Sequence, residues 1–243
     1  MPTLLVINPN TSASISALLQ RHVAVAVGAG IDVHTLTARF GAPYIASEAS
    51  YAVAQHTVLD AWAVARAQGL AADAVLIGCF GDPGLFALRE GAGVPVGGLA
   101  EASFLAAARH GRYAVVTGGE RWKPMLERLA HALRQDEALA GVHTVSASGA
   151  QLAADPAGAR ALLVQACREA IERFGADAVV LGGAGLAGMG ADIAPQLPVP
   201  LVDSVQAGAD WARTVLDAPA AAPCQPGFGV AWQNVSWELE ALD

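Results

Sequence analysis

The feature that most constrains the fold is an internal repeat. Residues 72–79 (Ala-Asp-Ala-Val-Leu-Ile-Gly-Cys) recur 104 positions later as residues 176–183 (Ala-Asp-Ala-Val-Val-Leu-Gly-Gly). Several matched segments in a constant order indicate two similar lobes, although strands rich in Ala and Val also resemble one another by chance. The other matched pairs are Leu5–Asn10 with Ala114–Gly119, and Val94–Val96 with Val199–Leu201 after one inserted residue.

Short apolar, β-branched runs alternate with helical stretches along the chain. This alternation is typical of parallel sheets that helices cover on both faces. We predict an α/β protein of two pseudo-symmetric, Rossmann-like lobes, each with a mainly four-stranded parallel sheet. Residues 1–100 form the first lobe, residues 101–202 form the second, and residues 203–243 pack back on the first. The predicted strands are Leu4–Ile7, Val33–Leu36, Ala74–Ile77, Val94–Val96, Tyr113–Val116, His143–Val145, Ala178–Leu181 and Val199–Val202, and the main predicted helices are Ser12–Val25, Ala49–Gln68, Leu99–Arg109, Lys123–Arg134, Pro156–Phe174 and Asp203–Leu216.

Composition and charge restrict the class of partner. A net charge of -8 argues against nucleic acid. No apolar run reaches membrane-spanning length, and the first residues enter an apolar strand without a basic leader. The three cysteines are too widely spaced for a disulfide framework or a metal site. We therefore expect a cytoplasmic protein with no membrane or nucleic-acid partner.

The first strand ends in polar residues, and ligands of open α/β sheets bind beyond the carboxyl ends of the strands. Residues Asn8–Ser12 read Asn-Pro-Asn-Thr-Ser, where Thr11 or Ser12 suits the N-cap of the next helix. The side-chain amides of Asn8 and Asn10, together with that helix N-terminus, favour a carboxylate or an imide. The alternative is a capping loop that binds nothing.

The third strand ends in a cysteine between glycines. Residues Gly78–Gly84 read Gly-Cys-Phe-Gly-Asp-Pro-Gly, and backbone N–H groups at such a site favour a thiolate at Cys79. The alternative is that Cys79 is a small buried hydrophobe, as most lone cysteines are. Cys167 lies on the apolar face of a helix, which predicts core packing, and Cys224 in the proline-rich tail is given no role.

The second lobe places a glycine-rich segment at the equivalent strand end. Gly183, Gly185 and Gly188 form G-x-G-x-x-G, and Asp203 stands 20 residues after Gly183, as in dinucleotide-binding proteins. However, two prolines follow too soon for the usual crossover helix, and Asp203 follows a strand that the repeat already assigns. Nucleotide binding is therefore disfavoured.

These strand ends resemble those of hydantoin and allantoin racemases, within the aspartate/glutamate racemase superfamily. The matching segments follow the family's order over nearly the whole chain, and the cysteine segment is the most specific of them. They are Ile7–Ser12, Cys79–Leu85, Gly98–Ala102, Val115–Thr117 and Leu181–Gly185.

The resemblance implies two α/β lobes with the active site in the cleft between them and one catalytic cysteine from each. One thiolate removes the α-proton of the substrate and the other thiol returns a proton to the opposite face, with no metal or organic cofactor. Cys79 matches the first cysteine. The family pattern and the internal repeat both place Gly183 at the second, and no Asp, Glu, His or Cys in residues 182–190 replaces it.

A single cysteine leaves three interpretations open. The protein racemises with water or a more distant group as the second acid. It resembles instead the single-cysteine arylmalonate decarboxylases of the same superfamily, which protonate an enediolate after loss of carbon dioxide. Or it binds a small molecule without turnover. We expect a racemase-type enzyme that transfers a proton at a carbon α to a carbonyl of a hydantoin, an amino acid or a related carboxylate.

The expected substrate-binding residues come from both lobes, and their polar and backbone donors stabilise the carbanion as an enolate. Phe40 and Ile45 either line a pocket for the substrate side chain or pack within the lobe. The acidic charge and the tail at residues 232–235 (Trp-Gln-Asn-Val) permit a homo-oligomer. The binding residues are Asn8, Asn10, Thr11, Phe40, Ile45, Phe80, Gly81, Thr117, Gly118, Ala184 and Gly185.

Overall fold

The computed structural model describes residues 1–147, 151–152, 155–218 and 227–242. The chain divides into two compact units: Met1–Gly98 with Ala209–Asp243, and Leu99–Gly208. Each unit contains one four-stranded parallel sheet flanked by helices. The predicted α/β class with two parallel sheets is confirmed. None of the helices in the described ranges is long and apolar enough to cross a membrane.

The first unit has the strand order β2-β1-β3-β4. The central strands are continuous apolar runs whose side chains are buried on both faces, as helices on both sides of a sheet require. The strands are β1 (Thr3–Asn8), β2 (Asp32–Thr37), β3 (Ala74–Ile77) and β4 (Val96–Gly98), and the helices are α1 (Ala13–Val27), α2 (Glu48–Ala67) and α3 (Leu85–Gly91).

The second unit repeats this order as β6-β5-β7-β8. Its strands are β5 (Tyr113–Gly118), β6 (Leu139–Val145), β7 (Ala178–Gly182) and β8 (Leu201–Asp203), and its helices are α4 (Leu99–Ala108), α5 (Trp122–Ala132), α6 (Pro156–Phe174) and the short α7 (Gly190–Ile193). Helix α8 (Ser204–Asp217) begins in the second unit and ends in the first, where the chain finishes with α9 (Trp237–Glu240).

The strand register reproduces the sequence repeat. Val75 of β3 pairs with Leu5 on one side and with Val96 on the other. Val179 of β7 has the equivalent partners, Ala114 and Leu201. Each pair in one unit is therefore the pair that the sequence repeat aligns in the other, so the repeat is a structural one.

Strand bounds differ from the predicted ones where the sequence is weakly apolar or contains proline. Strand β6 starts at Leu139 rather than His143, because pairing with β5 makes a strand of the weak formers Leu-Ala-Gly. Strands β4 and β8 start late because Pro95 and Pro200 have no N–H and contribute only their carbonyls, to Val75 N and Val179 N.

The cysteines outside the third strand take different places. Cys167 is fully buried in the core of the second unit, as predicted. Cys224, in the proline-rich tail, lies outside the described residues.

Candidate active site

Asn8, at the end of β1, builds the loop that follows it. Its Nδ2 donates to Asn10 Oδ1 (3.1 Å), Ser12 O (3.1 Å) and Ser16 Oγ (2.9 Å), and its Oδ1 accepts from Asn10 N (3.3 Å). Since Asn8 is fully buried and these bonds use both its polar atoms, it holds the loop. Among the described residues Asn10 Nδ2 donates no hydrogen bond, so Asn10 keeps a donor for a ligand.

The residues after β2 lie against this loop, but they differ in how far they are buried. Thr11 N donates to Ala42 O (3.1 Å), which joins the two loops. Ile45 is buried, whereas Phe40 is about one-third exposed and contacts the ring of His56 edge-on, with ring centroids 5.0 Å apart. Ile45 therefore packs in the core of the unit, and Phe40 is the accessible member of the predicted pocket.

Cys79 stands directly after β3 at the start of a tight turn. Its carbonyl accepts from Asp82 N (3.1 Å), and Asp82 O accepts from Leu85 N (3.2 Å) at the beginning of α3. Only 8% of the surface of Cys79 is exposed, and Phe80 and Asp82 are buried beside it. Asp82 has a left-handed backbone (φ 49°), a conformation that Asp tolerates better than most residues.

The electrostatics of this turn correct one prediction. Burial raises the pKa of the Cys79 thiol well above its ordinary value, and the carboxylate of Asp82 raises it further. The backbone N–H groups expected to favour a thiolate do not outweigh these two effects. These two effects favour the neutral thiol of Cys79 over its thiolate.

Helix α2 supports both loops through two side chains that the sequence analysis missed. Tyr51 Oη donates to Gly81 O (2.8 Å), and Thr57 Oγ1 donates to Pro9 O (2.9 Å). The sequence carried a signal for Thr57 but none for Tyr51: Thr57 and Asp60 stand one turn apart in a helix face that is otherwise apolar. Buried polar side chains require partners, and here the partners are the loops.

The equivalent strand end of the second unit is held by two hydroxyl groups. Thr117 Oγ1 donates to Gly182 O (2.8 Å), and Gly183 N donates to Ser204 Oγ (3.1 Å). The Gly182–Gly183 peptide is thus fixed from both sides. Thr117 was predicted to bind substrate, but in the structure its hydroxyl donates its proton to the carbonyl of Gly182. Ser204, at the start of α8, was not predicted from the sequence.

Gly183 adopts a backbone conformation that side chains rarely take (φ 144°). A Cβ there would meet only the Leu186 side chain, at Cγ (3.5 Å) and Cδ1 (3.6 Å), which are ordinary contacts, so the space for a side chain exists but the backbone is unsuitable. Ala184 and Gly185 open a single 3₁₀ turn, Ala184–Leu186, and the next helix has four residues. The predicted absence of a crossover helix after this glycine-rich segment is confirmed.

Each unit thus gathers its predicted residues at the carboxyl end of its own sheet. Those of the first unit follow β1, β2 and β3, and those of the second, including Gly118, follow β5 and β7. In the described part of the chain no three His, Cys, Asp or Glu side chains are grouped closely enough to hold a metal ion. The protein is thus of the two-unit α/β class, with a thiol at one strand end and a glycine at the equivalent one.

Comparison with known proteins identifies the family. The sequence model of the Asp/Glu/hydantoin racemase family matches residues 4–212. A hydantoin racemase of Pseudomonas sp. (strain NS671) is 31% identical over 213 residues, 87% of this chain and 85% of the relative. The crystal structure of allantoin racemase from Pseudomonas fluorescens has a TM-score of 0.84 at 29% identity, covering 88% of this chain and 91% of that chain. For allantoin racemase from Klebsiella pneumoniae the TM-score is 0.82 at 30% identity, with 89% and 88% covered.

The chain belongs to the Asp/Glu/hydantoin racemase family, and the resemblance seen in the sequence is confirmed. The relatives named above are racemases of hydantoin or allantoin, and the two parallel sheets of this chain match those of the allantoin racemases.

Proposed function

We propose that the chain is a cofactor-independent enzyme of the hydantoin racemase type that transfers a proton at a carbon α to a carbonyl, with Cys79 as its acid and base. The observation that carries this proposal is the asymmetry of the two strand ends. A thiol follows β3 in a loop that Tyr51 of α2 fixes, whereas Gly183 follows β7 and offers no proton.

Cys79 transfers the proton in two steps. Its thiolate, the minor form in this buried turn, takes the α-proton of the substrate and leaves an enolate beside a neutral thiol, and the thiol then returns a proton to the same carbon. Both steps occur on one face of the substrate carbon. The negative charge of the enolate oxygen is balanced by hydrogen-bond donors, for which Asn10 Nδ2 and Thr11 are our candidates.

One-sided proton transfer has a distinct isotopic signature. In deuterated water the thiol becomes S–D, so one enantiomer exchanges its α-hydrogen with retention of configuration. We expect D- and L-5-benzylhydantoin to differ in exchange rate, measured by proton NMR, and exchange to exceed racemisation, measured by chiral chromatography. Cys79→Ala should lower the faster exchange by about 10²–10⁴-fold.

The matched control is Cys167→Ala, which removes a thiol buried in the core of the second unit and should leave the exchange rate unchanged. If Cys79→Ala exchanges both enantiomers as fast as the unmodified protein, Cys79 is not the acid and base.

A second candidate activity rests on the same protonated thiol. A group that donates a proton to an enediolate suits a decarboxylase that acts on a disubstituted malonate. Release of carbon dioxide from methyl(phenyl)malonate, dependent on Cys79, would establish that activity instead. Binding of a hydantoin with neither exchange nor decarboxylation would establish a binding protein.

A further inference from the structure

A charged cluster in the first unit joins residues 199 positions apart. Arg39 donates to both carboxylate oxygens of Asp60, from Nε (3.0 Å) and Nη2 (2.7 Å), and to both oxygens of Glu238, from Nη1 (2.9 Å) and Nη2 (3.3 Å). We call Arg39, Asp60 and Glu238 the ion triad. The Asp60 and Glu238 side chains are 2% and 9% exposed.

The arrangement of the ion triad points to a geometric role. Removing two carboxylates from water has a free-energy cost that a buried ion pair often fails to recover, so such pairs are weak evidence for stability. What a bidentate guanidinium supplies is a fixed orientation. The ion triad fixes three separate pieces of chain: the loop after β2, helix α2 and the C-terminal helix α9.

Each of these pieces leads to the candidate site. Arg39 stands next to Phe40, the accessible residue of the predicted pocket, and Ala42 O in the same loop accepts from Thr11 N (3.1 Å). Asp60 lies one turn of α2 after Thr57, which holds the loop after β1. Glu238 lies in α9, which packs on α2.

In the described part of the second unit, no ion pair occupies the position equivalent to the ion triad. The bond from Leu70 N to Ala65 O at the end of α2 recurs as the bond from Ala176 N to Ile171 O at the end of α6. Counted from this bond, the position equivalent to Asp60 is Ala166, and counted by the offset of 104 in the sequence repeat it is Val164; both are apolar core residues. The ion triad is therefore a feature of the half that carries the thiol.

We propose that Arg39 is a positioning residue for substrate specificity, and that the C-terminal helix completes the first unit's binding site through it. Arg39, anchored by Asp60 and Glu238, holds Phe40 and the rest of the loop against Thr11. The loop then sets which substituent on the reacting carbon is accepted. This inference rests on the proposed function, since the substituent belongs to that substrate.

The test compares binding of a large and a small hydantoin. In the Cys79→Ala background, which separates binding from turnover, Glu238→Gln and Arg39→Lys should each weaken binding of 5-benzylhydantoin about tenfold, measured by calorimetry. Binding of 5-methylhydantoin should change less than twofold. With Cys79 present, the same variants should raise the KM for exchange of 5-benzylhydantoin and leave kcat unchanged.

The matched control is Asp192→Asn, which breaks the exposed Arg160–Asp192 pair of the second unit (2.6 Å) and should alter neither affinity. Equal weakening for both hydantoins, or none for either, overturns the inference. Thermal unfolding shows that the variants are folded. Failure of the proposed function gives a different result, which is no α-hydrogen exchange in the unmodified protein. The ratio of the affinities for 5-benzylhydantoin and 5-methylhydantoin still tests the role of Arg39 in that case.

Discussion

The ends of β3 and β7 share one backbone hydrogen bond and differ in their chemistry. In each, a turn joins the carbonyl of the first residue to the N–H three positions on: Cys79 O to Asp82 N at 3.1 Å, and Gly183 O to Leu186 N at 2.9 Å. The first turn holds a thiol beside a buried carboxylate, and the second holds a glycine beside a leucine. The repeat thus preserves this hydrogen bond and changes the side chains at two matched positions.

The difference teaches that the second strand end is not a cysteine site with only its thiol removed. Gly183 lies at φ 144°, with its N–H on Ser204 Oγ, whereas Cys79 keeps a backbone that an L-residue adopts freely. The helices differ too. Asp60 on α2 takes part in a buried ion triad, while α6 has an apolar core residue at the equivalent position. The first unit contains the ion triad and the thiol of Cys79. The second unit has at the equivalent strand end the Gly182–Gly183 peptide, which hydrogen bonds fix in place.

Removing the centre of the ion triad should have the largest effect on stability. Arg39→Met leaves two buried carboxylates without their cation, and breaking a buried ion pair costs about 3–5 kcal/mol. We expect the lower part of that range, because Arg39 is itself 45% exposed and water enters the space it leaves. Urea unfolding at pH 7 measures the loss. Arg160→Met, which breaks an exposed pair in the second unit, should cost at most about 1 kcal/mol. If Arg39→Met and Arg160→Met lost equal free energies of unfolding, the ion triad of the first unit would differ in no energetic respect from an exposed pair of the second.

Placing the missing thiol tests the comparison of strand ends directly. Gly183→Cys has room for its Cβ but forces a cysteine into a glycine conformation, at a cost of about 1–3 kcal/mol in the free energy of unfolding. It should also raise the α-hydrogen exchange of the slower 5-benzylhydantoin enantiomer. Gly30→Cys, at an open position with an ordinary φ, should do neither. A Gly183→Cys protein of unchanged stability would show that the backbone at residue 183 is not restrictive.

The sequence predicted what depends on local pattern. The alternation of apolar runs and the matched segments predicted both sheets, because an aligned repeat predicts equivalent strand pairing. They also predicted Cys79 and Gly183 as equivalent positions, and the register of β3 and β7 agrees. Their chemical roles stay predictions until exchange is measured.

What the sequence did not predict depends on long-range contacts. The partners of Arg39 are 21 and 199 residues away, and no periodic pattern links such positions. Tyr51 reaches Gly81 only because α2 packs over the loop. The sequence led us to expect a lowered pKa for Cys79, whereas burial raises it. Neighbouring N–H groups can be inferred from a sequence, but burial by distant residues cannot.

The smallest effect separates the two causes that keep Cys79 protonated. Asp82→Asn removes the carboxylate that raises the thiol pKa, but burial, the larger cause, remains. The pKa should therefore fall only part of the way to its ordinary value. Because the thiolate is the nucleophile, the pH profile of iodoacetamide alkylation should move to lower pH, with a faster rate at pH 9. Cys79→Ala identifies the signal from Cys79, and Asp73→Asn is the surface control. An unchanged profile would mean that burial alone distinguishes the thiol-bearing turn from its partner at Gly183, and a shift to higher pH would mean that Asp82 stabilises the thiolate.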